Sequence, residues 1–162
     1  MTRRGARRGR GYFGVAVYRP KTSANVALLW RTATVYGAAF VATVGHRYSR
    51  HPADTPHTPM HTPLHHYTDL DDLLAHLPHS CPLVGVELDE RAERLDTYTH
   101  PLRVLYLLGA EDDGLPPEVL ARCHEVVQVP SPSPHSLNVA IAGSLVLYDR
   151  YRAATAEQAA AS

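Results

Sequence analysis

The chain has 162 residues with 16 basic and 16 acidic side chains, so its formal net charge is zero. At 44% hydrophobic residues it can bury one substantial core, and two full domains are not expected. No apolar run approaches the roughly 18 residues of a membrane-spanning helix, and the two cysteines form no Cys-x-x-Cys pair. We therefore expect a cytoplasmic, single-domain protein without a signal peptide, a disulfide scaffold or a zinc ribbon.

The zero net charge hides an asymmetry along the chain. Residues 1–50 contain ten basic side chains and no acidic one, and the first acid is Asp54. All 16 acids and the other six basic groups follow. Such a split predicts a polyanionic partner for the N-terminal part, and the planar guanidinium of arginine suits phosphate oxygens.

The first half of the chain alternates between predicted strands and helices. A disordered basic arm is expected over residues 1–11, followed by a strand over 12–18. A helix is expected over 25–36, with Asn25 as its N-cap and Gly37 as its stop, and a buried strand over 39–44. Residues 46–66 contain four prolines among histidines, which favours a loop.

The second half continues the same alternation. Helices are expected over 68–77, 116–124 and 137–153, and strands over 83–88, 103–108 and 126–129. Residues 155–162 are expected to fray. Strands that alternate with helices predict an α/β fold with a mostly parallel sheet flanked by helices.

Two motifs suggest functions that their context does not favour. Gly9 to Gly14 spell G-x-G-x-x-G, but this dinucleotide fingerprint must follow a strand and open a helix, whereas here it precedes a strand. His57, His61 and His65 recur every fourth residue, but Pro59 and Pro63 interrupt the helix that such spacing would need. We therefore expect neither a Rossmann site nor a metal site.

A third group of residues lies where predicted strands end. The strand over 103–108 runs into a turn, residues 109–114, with two glycines and three acids. Later, a proline-rich loop leads to Ser136 and Asn138 at the start of an apolar helix. Because ligands of parallel α/β proteins bind at the carboxyl ends of strands, these loops are candidates for a small-molecule site. The same residues also suit a simple turn and a helix cap.

Three segments together resemble the motifs of the SpoU/TrmH family of RNA 2′-O-ribose methyltransferases, in the SPOUT superfamily. The segment Asn25-Val-Ala-Leu-Leu-Trp-Arg31, residues 109–114 and the segment Ser136-Leu-Asn138-Val resemble its first, second and third motifs. The resemblance spans residues 14–152. Two positions depart from the pattern, because Ala27 and Ala140 stand where glycine and serine are usual.

The resemblance implies a fold, a cofactor and an assembly. The single methyltransferase domain would occupy residues 12–155, with residues 156–162 as a tail, and would contain a C-terminal deep trefoil knot. S-adenosylmethionine would lie among three loops and act without a metal. The residues implied to bind it are Val86, Gly109, Val129, Ser136 and Leu137. The family is homodimeric, and the nearly all-apolar last helix is expected to be buried in the core, in a partner, or in both.

The resemblance also implies roles for polar residues. Arg31 matches the catalytic arginine, but because a guanidinium keeps its proton in proteins, it suits a phosphate clamp better than a base. Four other polar residues match catalytic motif positions: Asn25, Glu111, Ser136 and Asn138. We expect the two asparagines to fix geometry, Ser136 to bond substrate or cofactor, and Glu111 to orient Arg31 or neighbouring donors. The side chains expected to contact RNA are Arg3, Arg4, Arg7, Arg8, Arg10 and Arg31.

The sequence leaves the RNA substrate open. In its compact size the chain resembles family members that act on tRNA, and this resemblance favours tRNA over rRNA. No membrane partner is expected. Alternatives are a SPOUT-fold RNA-binding protein with little or no catalysis, an rRNA methyltransferase, and an enzyme that methylates a base instead of a ribose.

Overall fold

The structure is a computed structural model that describes residues 11–49 and 62–161. Seven strands lie within these residues: β1 (Tyr12–Tyr18), β2 (Phe40–Val44), β3 (Leu64–Tyr67), β4 (Leu83–Val86), β5 (Glu93–Arg94), β6 (Arg103–Leu108) and β7 (Glu125–Gln128). The α-helices of these residues are α1 (Ser23–Val35), α2 (Leu70–Ala75), α3 (Pro117–Leu120) and α4 (Val139–Ala160), and one 3₁₀ turn covers Leu95–Thr97.

The seven strands form one sheet in the order β3-β2-β1-β6-β4-β7-β5, and every neighbouring pair is parallel. In the centre of the sheet, Val15 pairs with Val41 on one side and with Tyr106 on the other. This architecture confirms the predicted α/β fold with a parallel sheet. The trefoil knot stays a prediction that the resemblance implies.

Helices cover both faces of the sheet, and alternate residues of its inner strands supply the two cores. Val15 and Val17 face a core shared with α1 and α4, whereas Ala16 and Tyr18 face a core shared with α2 and α3. All of these side chains are buried. Burial on both faces explains why β1 and β6 appear in the sequence as continuous apolar runs.

Some boundaries differ from the prediction. Strand β3 lies in the segment predicted to be mostly loop, because its backbone pairs with the open edge of β2. Helix α1 begins at Ser23 with Thr22 at the N-cap position, so Asn25 lies inside the helix and the prediction that it is the cap was wrong. Helix α4 continues to Ala160, beyond its predicted end and through the segment expected to fray, because alanine has a high helix propensity.

A buried polar cluster holds the middle of α4 against the sheet. His100 lies between the hydroxyl of Tyr106 on β6, 2.6 Å from its Nδ1, and the carboxylate of Asp149 on α4, 3.0 Å from its Nε2. Burial lowers the pKa of His100 despite the Asp149 carboxylate, so the ring is neutral near pH 7. Arg150 donates to the carbonyl oxygens of Pro101 and Leu102, which fixes the same turn of the helix.

Candidate active site

A cavity of about 200 Å³ opens at the carboxyl edge of the sheet, beyond the ends of β4, β6 and β7. It is lined by one group of residues from each of the three strand-end loops. The five residues implied to bind the cofactor, Val86, Gly109, Val129, Ser136 and Leu137, all line it. We call this space the main cavity.

Glu111, in the loop after β6, joins that loop to the start of α1. Its Oε1 accepts hydrogen bonds from the backbone N–H of Thr22 at 3.1 Å, the Thr22 hydroxyl at 2.5 Å and Asn25 Nδ2 at 2.9 Å. Its Oε2 accepts from the backbone N–H of Lys21 at 3.0 Å. Glu111 therefore orients neighbouring donors, one of the two roles expected of it, and makes no hydrogen bond with Arg31 in the described structure.

The first and third motifs meet through an amide pair. Asn138 Nδ2 donates to Asn25 Oδ1 across 3.1 Å, and Asn138 Oδ1 accepts from the backbone N–H groups of Ala140 and Ile141, which caps α4. Asn25, Glu111 and Asn138 are thus one connected chain of hydrogen bonds drawn from distant segments. Each amide orientation is fixed by three hydrogen-bond partners, so the polar edge of the site is pre-organised.

The hydrogen bonds to Glu111 also set its charge state. Partial burial acts to raise its pKa, but the donors from Thr22, Asn25 and Lys21 outweigh burial and lower the pKa to about 2, from an ordinary 4.5. The carboxylate is therefore ionised throughout the physiological range.

Acidification should weaken the hydrogen bonds by which Glu111 joins its loop to the start of α1. Because the folded-state pKa of Glu111 is depressed, its stabilising effect is complete above about pH 4.5 and is lost as the pH falls towards about 2. After allowance for solvent screening of this partly exposed group, we expect a loss of about 1 kcal/mol in the free energy of unfolding. Chemical denaturation of the wild type and Glu111→Gln at several pH values measures it. The unfolding free energies of the wild type and Glu111→Gln should converge at low pH. Glu118 is an exposed carboxyl on α3, and the unfolding free energy of Glu118→Gln should differ from that of the wild type by the same amount at every pH.

Arg31 lies apart from the other motif residues of the same chain. It is exposed on α1, about 9 Å further along the helix axis than Asn25, and does not line the main cavity. It forms no hydrogen bond or ion pair with any described residue. Its neighbours on the same helix face, Leu28 and Val35, are also exposed. One chain alone thus assembles Asn25, Glu111, Ser136 and Asn138 without Arg31.

Sequence reasoning missed Glu87, which lines the main cavity directly after β4. Its Oε2 accepts from the backbone N–H of Leu115 at 2.7 Å and so anchors the end of the 109–114 loop. The signal was available, because Glu87 follows Val86, and polar residues at the ends of parallel strands meet at the same edge.

Gly109 lies in close contact with the backbone of its own loop. A Cβ at this position would lie 2.1 Å from the carbonyl carbon of Gly114 and 2.4 Å from the nitrogen of Leu115. The absent side chain therefore makes room for the loop's own backbone. Gly114 itself has a φ of +63°, a conformation that glycine adopts without strain.

The remaining sequence motifs lie partly outside the described residues. The arginines of the arm, Arg3 to Arg10, and His57 and His61 of the proline-rich segment are outside them. Residues 12–18 form a strand, so the G-x-G-x-x-G segment runs into a strand and does not open a helix, as a dinucleotide fingerprint would. Across 11–49 and 62–161, no group of three or more His, Cys, Asp or Glu residues is placed to hold a metal ion. No helix in the same ranges is long and apolar enough to cross a membrane.

Fold and cavity together define an α/β protein with a cavity at the carboxyl edge of a parallel sheet, the edge at which ligands of such proteins bind. The chain belongs to the SpoU rRNA Methylase family, whose sequence pattern matches residues 12–148. It is 36% identical over 88 residues to the 23S rRNA (guanosine-2′-O-)-methyltransferase RlmB of Acinetobacter baylyi. That match covers 52% of this chain and 36% of the relative, so the chain spans about a third of the relative's length.

Solved structures share the whole fold. A structure that gives insight into the 2-OH methylation of C/U34 on tRNA is 26% identical, with a TM-score of 0.79 over 91% of this chain and 99% of that one. The SpoU methyltransferase AviRb from Streptomyces viridochromogenes, in complex with the cofactor AdoMet, is 22% identical, with a TM-score of 0.79 over 91% of this chain and 60% of that one. The A. aeolicus TrmH/SpoU tRNA modifying enzyme is 17% identical, with a TM-score of 0.78 over 90% of this chain and 76% of that one. The last two likenesses concern the fold alone.

Proposed function

We propose that this chain is an S-adenosylmethionine-dependent RNA 2′-O-ribose methyltransferase. The observation that carries the proposal is the hydrogen-bonded set Asn25, Glu111 and Asn138, next to a cavity that is lined by all five residues implied to bind the cofactor. Family membership supports methylation of RNA. RlmB is named as a guanosine-2′-O-methyltransferase, and the structure matched over 99% of its length concerns 2-OH methylation, which supports the ribose as the acceptor.

The lining of the main cavity fits the proposed cofactor. Its apolar wall, which includes Val86, Val129 and Leu137, suits an adenine ring. Its carboxylates suit the positive sulfonium and ammonium groups; these are Glu87, Glu111, Asp112 and Asp113. When bound, S-adenosylmethionine supplies a methyl group that is already activated, so the protein's main task is to position the acceptor.

The polar residues position the ribose. The amides of Asn25 and Asn138 and the hydroxyl of Ser136 are hydrogen-bonding groups beside the main cavity, where a sugar hydroxyl can be held. The 2′-hydroxyl loses its proton during the reaction, and Arg31 cannot take it, because a guanidinium is always protonated. Its forked donors suit the phosphate next to that ribose, and this contact orients the hydroxyl.

We propose a homodimer in which the exposed faces of α1 and α4 meet. Large apolar side chains are exposed on both helices: Leu28, Val35, Ile141, Leu145 and Tyr148. A patch of this kind on a small protein is typical of an interface. Arg31 lies on the same exposed face of α1. A second copy of the chain that packs on this face would enclose Arg31 and would bring it close to the partner's main cavity.

For the substrate we propose tRNA. The relative whose full length is matched concerns methylation of C/U34 on tRNA, whereas RlmB, a 23S rRNA enzyme, is matched over about a third of its length. We propose that residues 12–155 are the methyltransferase domain. The arginines of residues 1–11 are proposed to bind RNA phosphates, and the protein is proposed to act in the cytoplasm.

Transfer of a labelled methyl group tests this function. The purified protein, incubated with S-adenosylmethionine and unfractionated tRNA or rRNA, should label tRNA, and nucleoside analysis should recover 2′-O-methylribonucleosides. Matched DNA should stay unlabelled, because it lacks the acceptor hydroxyl. Binding of RNA without any transfer would favour the non-catalytic alternative, and a methylated base would contradict the ribose assignment.

A further inference from the structure

A second cavity, about 450 Å³ in volume, lies at the same edge of the sheet, beyond the ends of β1, β2 and β3. Ala110, Asp113 and Gly114 line both this space and the main cavity, so one loop is a wall of each. We call it the β1–β3 cavity. The basic side chains that line it are Arg19, Lys21 and His46.

The backbone of Arg19 is held in a strained conformation. Its φ is +47°, in the left-handed region that a long side chain rarely adopts. A hydrogen bond of 2.7 Å from the Arg19 N–H to the Val44 carbonyl oxygen keeps it there. The neighbouring strand end makes room, since a Cβ on Gly45 would lie 2.9 Å from Arg19 Cγ. Two adjacent strand ends are thus shaped around this one side chain.

The Arg19 guanidinium is oriented but has no acidic partner among residues 11–49 and 62–161. It lies over the ring of Tyr18, 5.2 Å from the centroid, and makes no hydrogen bond or ion pair with any described residue. Lys21 differs, because its Nζ is 2.7 Å from Asp112 and 3.4 Å from Asp113. The planar fork of donors is therefore left available at the mouth of the cavity.

Other charged groups of the cavity are already engaged. The carboxylate of Asp69 caps α2 by accepting the N–H of Asp72 at 2.9 Å, and Asp113 faces Lys21. His46 Nδ1 lies 3.2 Å from the carbonyl oxygen of Pro20, so Nδ1 carries the proton and Nε2 stays available. Among the described residues that line this cavity, Arg19 is consequently the cation without an acidic partner in the described part of the chain.

We infer that the β1–β3 cavity is a subsite for the phosphodiester backbone of the substrate RNA, flanking the nucleotide that is methylated, with Arg19 as its phosphate contact. Backbone strain is retained where it serves a ligand, and a forked guanidinium with free donors matches phosphate oxygens. The shared 110–114 wall puts this subsite next to the main cavity. The inference rests on the proposed function for the identity of the strand.

Arg19→Asn isolates the guanidinium from the backbone. Asparagine tolerates the left-handed conformation, so the fold should be kept while the charge is lost. Binding is measured by fluorescence anisotropy of labelled, unfractionated tRNA over a series of salt concentrations. We expect the Kd to rise about tenfold and the salt slope to fall by about 0.7. S-adenosylmethionine affinity, measured by calorimetry, should not change.

Matched variants separate charge from geometry. Arg103→Asn removes an exposed arginine at the first residue of β6, at the amino end of the sheet, and should bind tRNA as the wild type does. Arg19→Lys keeps the charge without the fork, and its Kd should lie between those of the wild type and Arg19→Asn.

The outcomes distinguish this subsite from the proposed function. If the wild type methylates RNA but Arg19→Asn and Arg103→Asn bind tRNA equally well, the subsite is wrong and the function stands. If Arg19→Asn weakens tRNA binding but the wild type transfers no methyl group, the subsite stands and the function fails. If the wild type binds neither tRNA nor rRNA at low salt, both are wrong.

Discussion

Replacement of Arg31 by alanine should reduce methyl transfer by about 10²- to 10³-fold, the range seen when one oriented donor is removed from an active site. The fold should survive, because the side chain is exposed and contacts no described residue through a hydrogen bond or ion pair. S-adenosylmethionine affinity should also stay the same, because Arg31 does not line the main cavity. Methyl-transfer rates, thermal unfolding and calorimetric titration measure the three properties. Arg31→Lys should recover only part of the rate, since it lacks the fork.

Mixing two inactive variants tests whether Arg31 acts across the proposed dimer. Ser136→Ala removes a hydroxyl from the main cavity, and in a mixed dimer with Arg31→Ala one of the two sites would keep its own Ser136 and the partner's intact arginine. Random exchange of subunits should then restore about a quarter of the wild-type activity. No recovery, with subunit exchange verified independently, would mean that Arg31 acts in its own chain. Full activity of Arg31→Ala alone would remove the arginine from the mechanism.

Replacement of Gly109 by alanine should damage the main cavity. The added carbon would lie 2.1 Å from a backbone atom of Gly114, so the 109–114 loop must move. Because Glu111 belongs to this loop, its hydrogen bonds to Thr22 and Asn25 would be disturbed too. We expect a loss of about 1–3 kcal/mol in the free energy of unfolding and at least tenfold weaker S-adenosylmethionine binding.

A matched control uses the glycine at the end of α1. Gly37 has a φ of +78° and open space around its Cα, and asparagine tolerates both. Gly37→Asn should therefore leave stability and cofactor affinity close to those of the wild type. Equal behaviour of Gly109→Ala and Gly37→Asn would show that the contact with Gly114 relaxes easily.

The central strands could be predicted from the sequence and the edge strands could not. Strands β1 and β6 agree with the prediction to the residue, because burial on both faces leaves an uninterrupted apolar run. Strand β3 contains two histidines, and β5 is a Glu-Arg pair. Both exist because a neighbouring backbone offers unpaired donors and acceptors, and hydrophobic patterning does not report such pairing.

The candidate site was predictable to a similar extent. The motif residues that follow strands were brought together as expected, because parallel strands present their carboxyl ends at one edge. The partners of Glu111 were not predictable, since Lys21 and Thr22 lie about ninety positions away and each donates a backbone N–H to its carboxylate. Any residue type except proline could offer that N–H, so no sequence signal marks it.

The position of β1 between β2 and β6 has a consequence for synthesis on the ribosome. One neighbour of β1 follows it almost at once, but the other, β6, begins only at Arg103. A nascent chain shorter than this has the β1 edge unpaired and lacks both β6 and β7. Pairings between such distant segments slow folding, so the sheet centre is completed late, and the emerging N-terminal half is the stage most exposed to aggregation.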